Sequence, residues 1–117
     1  MATLRKVDTP LDGSGLKLYV WENLNANEVG PAVLCGQFPD KAVQLLGGFG
    51  GNVLIEGSLD PDGGAYATLN DPQGNPLSAI SSAKIEQVLE HCYLIRPSAG
   101  PGVANVTVWL LLATGGR

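Results

Sequence analysis

The sequence predicts an all-β chain, a jelly-roll-like β-sandwich of about eight short strands with at most one short helix. Turn chemistry recurs at roughly 8–12-residue intervals, and apolar residues alternate with a period of two between the turns. Glycine (16) and proline (8) are abundant among the 117 residues, and only 15% of residues are charged. Such a composition suits many strands joined by tight turns, and argues against a helical bundle or a charged disordered chain. A chain of this length forms one domain whose core needs no disulfide or metal staple. The expected division is a flexible N-terminal arm over residues 1–15 and a single sandwich domain over 16–117.

The arm mixes charges with Pro10, Asp12, Gly13 and Gly15, and has no evident core role. Leu16-Lys17-Leu18-Tyr19-Val20-Trp21-Glu22 then alternates, with Leu16, Leu18 and Val20 on one face and Lys17, Tyr19 and Trp21 on the other. That is a strand with one buried face and a second, aromatic face that is partly covered. Asparagines in 23–31 make a polar loop. Ala32-Val33-Leu34-Cys35-Gly36 suits a central strand, and Lys41 to Leu46 resumes after a break at Pro39. The glycines at 47, 48, 50 and 51 lack the lysine and hydroxyl of a phosphate-binding loop and read as a flexible connection.

The organising unit follows. Val53-Leu54-Ile55 is a β-branched run, and Pro61-Asp62-Gly63-Gly64 turns the chain. Ala65 to Leu69 returns as partner strand, and Asp71-Pro72-Gln73-Gly74-Asn75-Pro76 turns it again. Leu77 to Ile80 is a brief extended piece. Ser81 to Glu90 is the one helix candidate, with Ile85, Val88 and Leu89 at i, i+3 and i+4 and a serine available as cap. Cys92 to Pro97 reads as a strand ended by proline. Val103 to Ala113 closes the fold, with Val106, Val108, Leu110 and Leu112 on one face and Thr107, Trp109, Leu111 and Ala113 on the other. A strand apolar on both faces wants cover on both sides, either from a subunit contact or from the helix or leader.

The pattern Ile55-Glu56-Gly57-Ser58, Asp60, Tyr66, Thr68-Leu69, Asp71-Pro72-Gln73-Gly74-Asn75, and later Tyr93-Leu94-Ile95-Arg96-Pro97, resembles small β-sandwich structural proteins of tailed bacteriophages, in particular head decoration (cement) proteins. The resemblance runs from Leu18 to Ala113, with a longer turn, Leu59 to Gly63, where those proteins favour Asn-Asp-Gly. It implies a virion structural protein, made in a host cytoplasm, that stabilises a phage head by binding the major capsid protein lattice. It further implies a homo-oligomer, a trimer in many such proteins. The same texture resembles carbohydrate-binding jelly rolls, which makes a carbohydrate-binding module, for example on a phage tail or head fibre, the alternative.

The chain's chemistry is consistent with a protein that performs no turnover. Gly-x-Ser-x-Gly is absent, and the lone histidine, His91, adjoins Glu90 in a stretch where sequence neighbours point apart. Glu56, Asp60 and Asp62 do not have calcium-loop spacing and make a turn first. No cofactor or metal is expected. A net charge of −4 with seven scattered basic residues argues against nucleic acid and against anionic membranes. No apolar leader follows Met1, so synthesis in a cytosol is expected. Cys35 and Cys92 are either one disulfide or two buried thiols, and a reducing cytosol favours thiols. Exposed aromatics at Tyr19, Tyr66 or Trp21 would make a sugar platform, and buried ones a core. The interface candidates are Trp109, Leu111, Trp21 and Tyr19, together with Arg5 and Lys6 on an arm reaching toward the capsid.

Overall fold

The structure, a computed structural model, describes residues 2–10 and 14–114. Nine strands run through them: Thr3–Val7 (β1), Leu16–Leu24 (β2), Val33–Leu34 (β3), Asp40–Phe49 (β4), Val53–Ser58 (β5), Ala67–Thr68 (β6), Lys84–Val88 (β7), Leu94–Ala99 (β8) and Val103–Ala113 (β9). They form two antiparallel sheets, in the orders β1-β2-β9-β4-β7 and β3-β8-β5-β6. The pairings β2 with β9, β3 with β8, β4 with β7 and β5 with β6 are those of one long hairpin counted inward from both ends. Pairing of β4 with β9 and of β5 with β8 rolls that hairpin across itself. The result is the jelly-roll sandwich that the turn spacing predicts.

Alternation along β9 fixes the layers. Val106, Val108, Leu110 and Leu112 are fully buried and face the second sheet. Residues directly opposite on neighbouring strands share a face. Lys17, Tyr19 and Trp21 of β2 and Lys41, Val43 and Leu45 of β4 therefore point inward with them. From the second sheet Val33, Val53, Ile55, Ile95 and Ala99 complete the core. Burying these side chains at about 25 cal/mol per Å² is what holds the two sheets face to face.

On β2 Val20 is buried as expected, but the face that meets the second sheet is the other one. Trp21, only 1% exposed, is a core residue whose Nε1 donates to the Pro31 carbonyl at 2.7 Å, while Leu16 and Leu18 stand on the outer face. Trp21 thus offers no surface for an interface. The ring fills core between the sheets, and its one polar atom finds a loop carbonyl.

Two further expectations are corrected. Ser81–Glu90 forms no helix; Lys84–Val88 is instead the edge strand β7 against β4, with Gln44 opposite Ile85 and Lys41 opposite Val88. In the strand Val88 faces inward and is buried, while Ile85 points to the outer face and is exposed. Of the expected arm, residues 1 and 11–13 lie outside the described residues. Its first half is strand β1, paired with β2 from Thr3 opposite Glu22 to Val7 opposite Leu18. Leu4 packs against the core, and Arg5 and Lys6 put charges on a sheet edge, where they discourage further pairing.

The glycine cluster also has a structural cause. β4 continues through it to Phe49 with a bulge between Leu46 and Gly48, and the chain then crosses the 101–102 turn closely. A Cβ at Gly51 would stand 2.0 Å from the Pro101 carbonyl oxygen. After β5, the Asp60–Gly64 turn forms as expected. Gly63 takes φ +70, and the two Asp60 carboxylate oxygens accept the Asp62 and Gly64 amides. The turn folds back over the outer face of the second sheet, where Leu94 and Ser58 are buried and Tyr66 stacks on the Arg96 guanidinium at 3.6 Å.

Candidate interaction surface

The outer face of the five-stranded sheet is built by the same alternation that builds the core. Leu18, Leu111 and Ala42 form one cross-strand row on β2, β9 and β4. Val20, Trp109, Gln44 and Ile85 form the next row, extending to β7. Val20 is fully buried in that row, flanked by Arg5 and Trp109 in the register, although it lies outside the core cluster. Leu111 is 42% exposed and Ile85 65% exposed. Two shallow depressions of about 260 and 270 Å³ lie here and share Ala42, Ile85 and Leu111. The face is therefore a gently grooved, largely apolar surface around Trp109 and Leu111, with Gln44 and Gln87 set into it. Exposed apolar surface of this kind is a candidate for interaction.

The remaining candidates are dispersed. Arg5 is on the same face at the β1 edge, ion-paired with Glu22 at 3.1 Å and well exposed. Lys6 is opposite Tyr19 and reaches Asp8 at 3.4 Å. Tyr19 points inward, toward an end cleft of about 400 Å³ lined by Lys17, Tyr19, Leu34, Gln37, Phe38 and Tyr93. Within it, Lys17 sits 5.8 Å from the Phe38 ring centroid, the distance of a cation–π contact. So the structure brings Trp109 and Leu111 together, places Arg5 at the edge of their face, and puts Tyr19 and Trp21 elsewhere.

One buried charge was not singled out from the sequence. Lys41 is 2% exposed, and its Nζ donates to the carbonyls of Phe38 and Pro39 at 3.3 Å each. Its position was legible: Val43 and Leu45 face the core, and a period of two puts Lys41 with them. Near it lie Cys35 and Cys92, both buried free thiols whose sulfurs are 3.6 Å apart. The hydrogen bond between them, then burial, pushes the Cys35 thiol up. The same bond, aided by the Lys41 charge and opposed by burial, brings Cys92 below the ordinary thiol range. Burial pushes the Glu90 carboxyl up, but the Asn70 side chain and amide, at 2.6 and 2.7 Å, and the Lys41 charge hold it below the usual carboxylate range. His91 is exposed, and its Nε2 donates to the Gly36 carbonyl at 2.7 Å, a tie between loops. Among the described residues no group of three or more His, Cys, Asp or Glu side chains stands together as a metal site.

No protein-family model matches the chain. No curated protein matches it either. Solved structures do. The SPBc2 prophage-derived protein YomS superimposes with a TM-score of 0.62 at 11% identity, covering 96% of this chain and 92% of YomS. The likeness is one of fold. Oxalate oxidase in complex with glycolate superimposes with TM-scores of 0.57 and 0.55 in two structures, at 8% and 10% identity. There the chain is covered to 99% but spans only about half, 53%, of the enzyme. YomS is thus similar along nearly its whole length, whereas the oxalate oxidase match is to part of a larger chain.

Proposed function

We propose that the protein is a structural component of a bacteriophage particle: a head decoration protein that binds the major capsid protein lattice and acts without turnover. Its subunits associate through the outer face of the five-stranded sheet, as a trimer. The observation that carries the reading is that largely apolar face, centred on Trp109 and Leu111, on a fold similar along nearly its whole length to a prophage-derived protein. A multivalent assembly binds a repeating lattice far more tightly than one subunit does, so self-association and decoration are linked. The direct test is fractionation of phage particles on a density gradient, with the chain detected in the head band. Leu111→Asp, which puts a charge at the centre of the face, should leave a folded monomer that no longer co-migrates with heads. Wild-type chain that stays strictly monomeric at high concentration, and is absent from heads, refutes the reading.

The end cleft favours a second reading. Tyr19, Phe38 and Tyr93 beside Lys17 and Gln37 supply ring faces and hydrogen-bonding groups of the kind that hold a saccharide. Glycan-array binding abolished by Tyr93→Ala, with decoration unaffected, would support the carbohydrate-binding module instead.

A further inference from the structure

Cys35 and Cys92 are separated by 57 positions in sequence, yet the fold delivers them to one point. The β3–β8 ladder continues one residue past its last strand pair, with the Cys35 amide donating to the Tyr93 carbonyl at 2.8 Å. That bond sets Cys35 diagonally across from Cys92. The Cys35 Sγ then donates to the Cys92 carbonyl at 3.1 Å and stands 3.6 Å from the Cys92 Sγ. Room for the second sulfur comes from β5: a Cβ at Gly57 would stand 2.9 Å from the Cys92 Sγ, so this strand position carries no side chain where the sulfur sits. A disulfide needs about 2.05 Å, so closing the pair takes an approach of roughly 1.5 Å, within the reach of side-chain rotation and a small strand adjustment.

We infer that Cys35 and Cys92 are a modification site, a dithiol that closes to an intramolecular disulfide by exchange with a small-molecule disulfide. The reaction balances without another oxidant. The Cys92 thiolate attacks oxidised glutathione, forms a mixed disulfide and releases one glutathione thiolate. The Cys35 thiol then loses its proton and attacks the Cys92 sulfur, releasing the second glutathione, so two protein thiols are oxidised and one glutathione disulfide is reduced.

Geometry and charge assign the order. Cys92 lines a surface groove of about 210 Å³ with Gly36, Leu59, His91 and Tyr93, whereas Cys35 is wholly enclosed. The Lys41 ammonium favours the thiolate form of both sulfurs, and the Cys35 hydrogen bond favours it at Cys92. Once Cys92 is capped, Cys35 lies directly against the mixed disulfide at the Cys92 sulfur, placed to resolve it. The pair stays reduced against a cytosolic thiol pool and closes when the chain leaves it. This holds whatever the chain binds and does not rest on the phage reading.

The test is oxidation of the folded, reduced chain by oxidised glutathione, followed by denaturation, alkylation of remaining thiols and intact-mass measurement. Free thiols should fall from two to none with a loss of about 2 Da, no retained glutathione and no covalent dimer. In Cys35→Ser the reaction should stop at a stable glutathione adduct on Cys92, and Cys92→Ser should react at least tenfold more slowly. The oxidised wild type should melt on the order of 5–10 °C higher, because the bond closes a long loop. Two thiols retained in the oxidised folded protein, or a lasting single adduct on the wild type, overturns the inference. An adduct that forms at Cys35 faster than at Cys92 overturns the assigned order.

Discussion

Two adjacent leucines of β9 should respond very differently to the same substitution. Leu110 is fully buried between the sheets, opposite Val43 and Tyr19, so Leu110→Ala removes apolar contact and leaves a cavity. The cost should be about 3 kcal/mol. For a chain of this size, at roughly 4 °C per kcal/mol, that lowers the melting temperature by about 12 °C. Leu111 is 42% exposed on the outer face, so about three-fifths of its side chain is covered in the isolated subunit. Its truncation removes about 1 kcal/mol of transfer free energy and opens no enclosed cavity, a shift of about 4 °C. In the proposed oligomer the same truncation would also remove contact at the centre of each subunit interface, and each 1.4 kcal/mol lost there weakens association about tenfold. Melting of dilute protein, followed by circular dichroism, isolates the subunit term, and sedimentation velocity across concentration reads the association. If Leu111→Ala destabilises the dilute subunit as much as Leu110→Ala, the outer face is already covered within one chain. The interface argument then fails.

Other outcomes follow from particular contacts. Trp21→Phe loses the 2.7 Å bond to Pro31 and should cost about 1–2 kcal/mol in urea unfolding, without changing oligomeric state. Deleting residues 1–9 strips β1 from β2 and uncovers Leu4's packing site. The loss should be roughly 2 kcal/mol, with concentration-dependent association through the bare β2 edge measured by light scattering. Stability should also fall in acid. Glu90 is held below the usual carboxylate range, and its stabilising contribution is complete above the unfolded value and lost as pH falls through the folded one. Melting temperature measured from about pH 5 down to pH 3 should therefore decline less steeply in Glu90→Gln than in the wild type.

Much of this architecture was legible because it is written locally. The two-faced pattern of Val103–Ala113 identified both the core row and the outer row, and the acid-glycine turn after β5 carries its own hydrogen bonds. What escaped was set by tertiary space. Ile85, Val88 and Leu89 fit a helical stripe as well as a strand, and β4's open edge decided between them. Arg5 and Lys6 read as a solvated arm, yet charges are what an edge strand tolerates best. On β2 either face was apolar enough to be the inner one, and only the register with β9, which sets Trp21 opposite Val108, puts Trp21 inside. Of the interaction surface, Trp109 and Leu111 could be read from alternation alone. Their neighbours Ala42, Leu18 and Ile85 needed the sheet order, because the strands they come from are distant in sequence.

The most direct measurement of the central claim is the composition of gradient-purified phage heads from cells producing either the wild-type chain or Leu111→Asp. The account predicts the wild-type chain in the head band at a fixed ratio to the major capsid protein, and the folded variant left at the top of the gradient. Heads free of the wild-type chain, or heads carrying both forms equally, would contradict it.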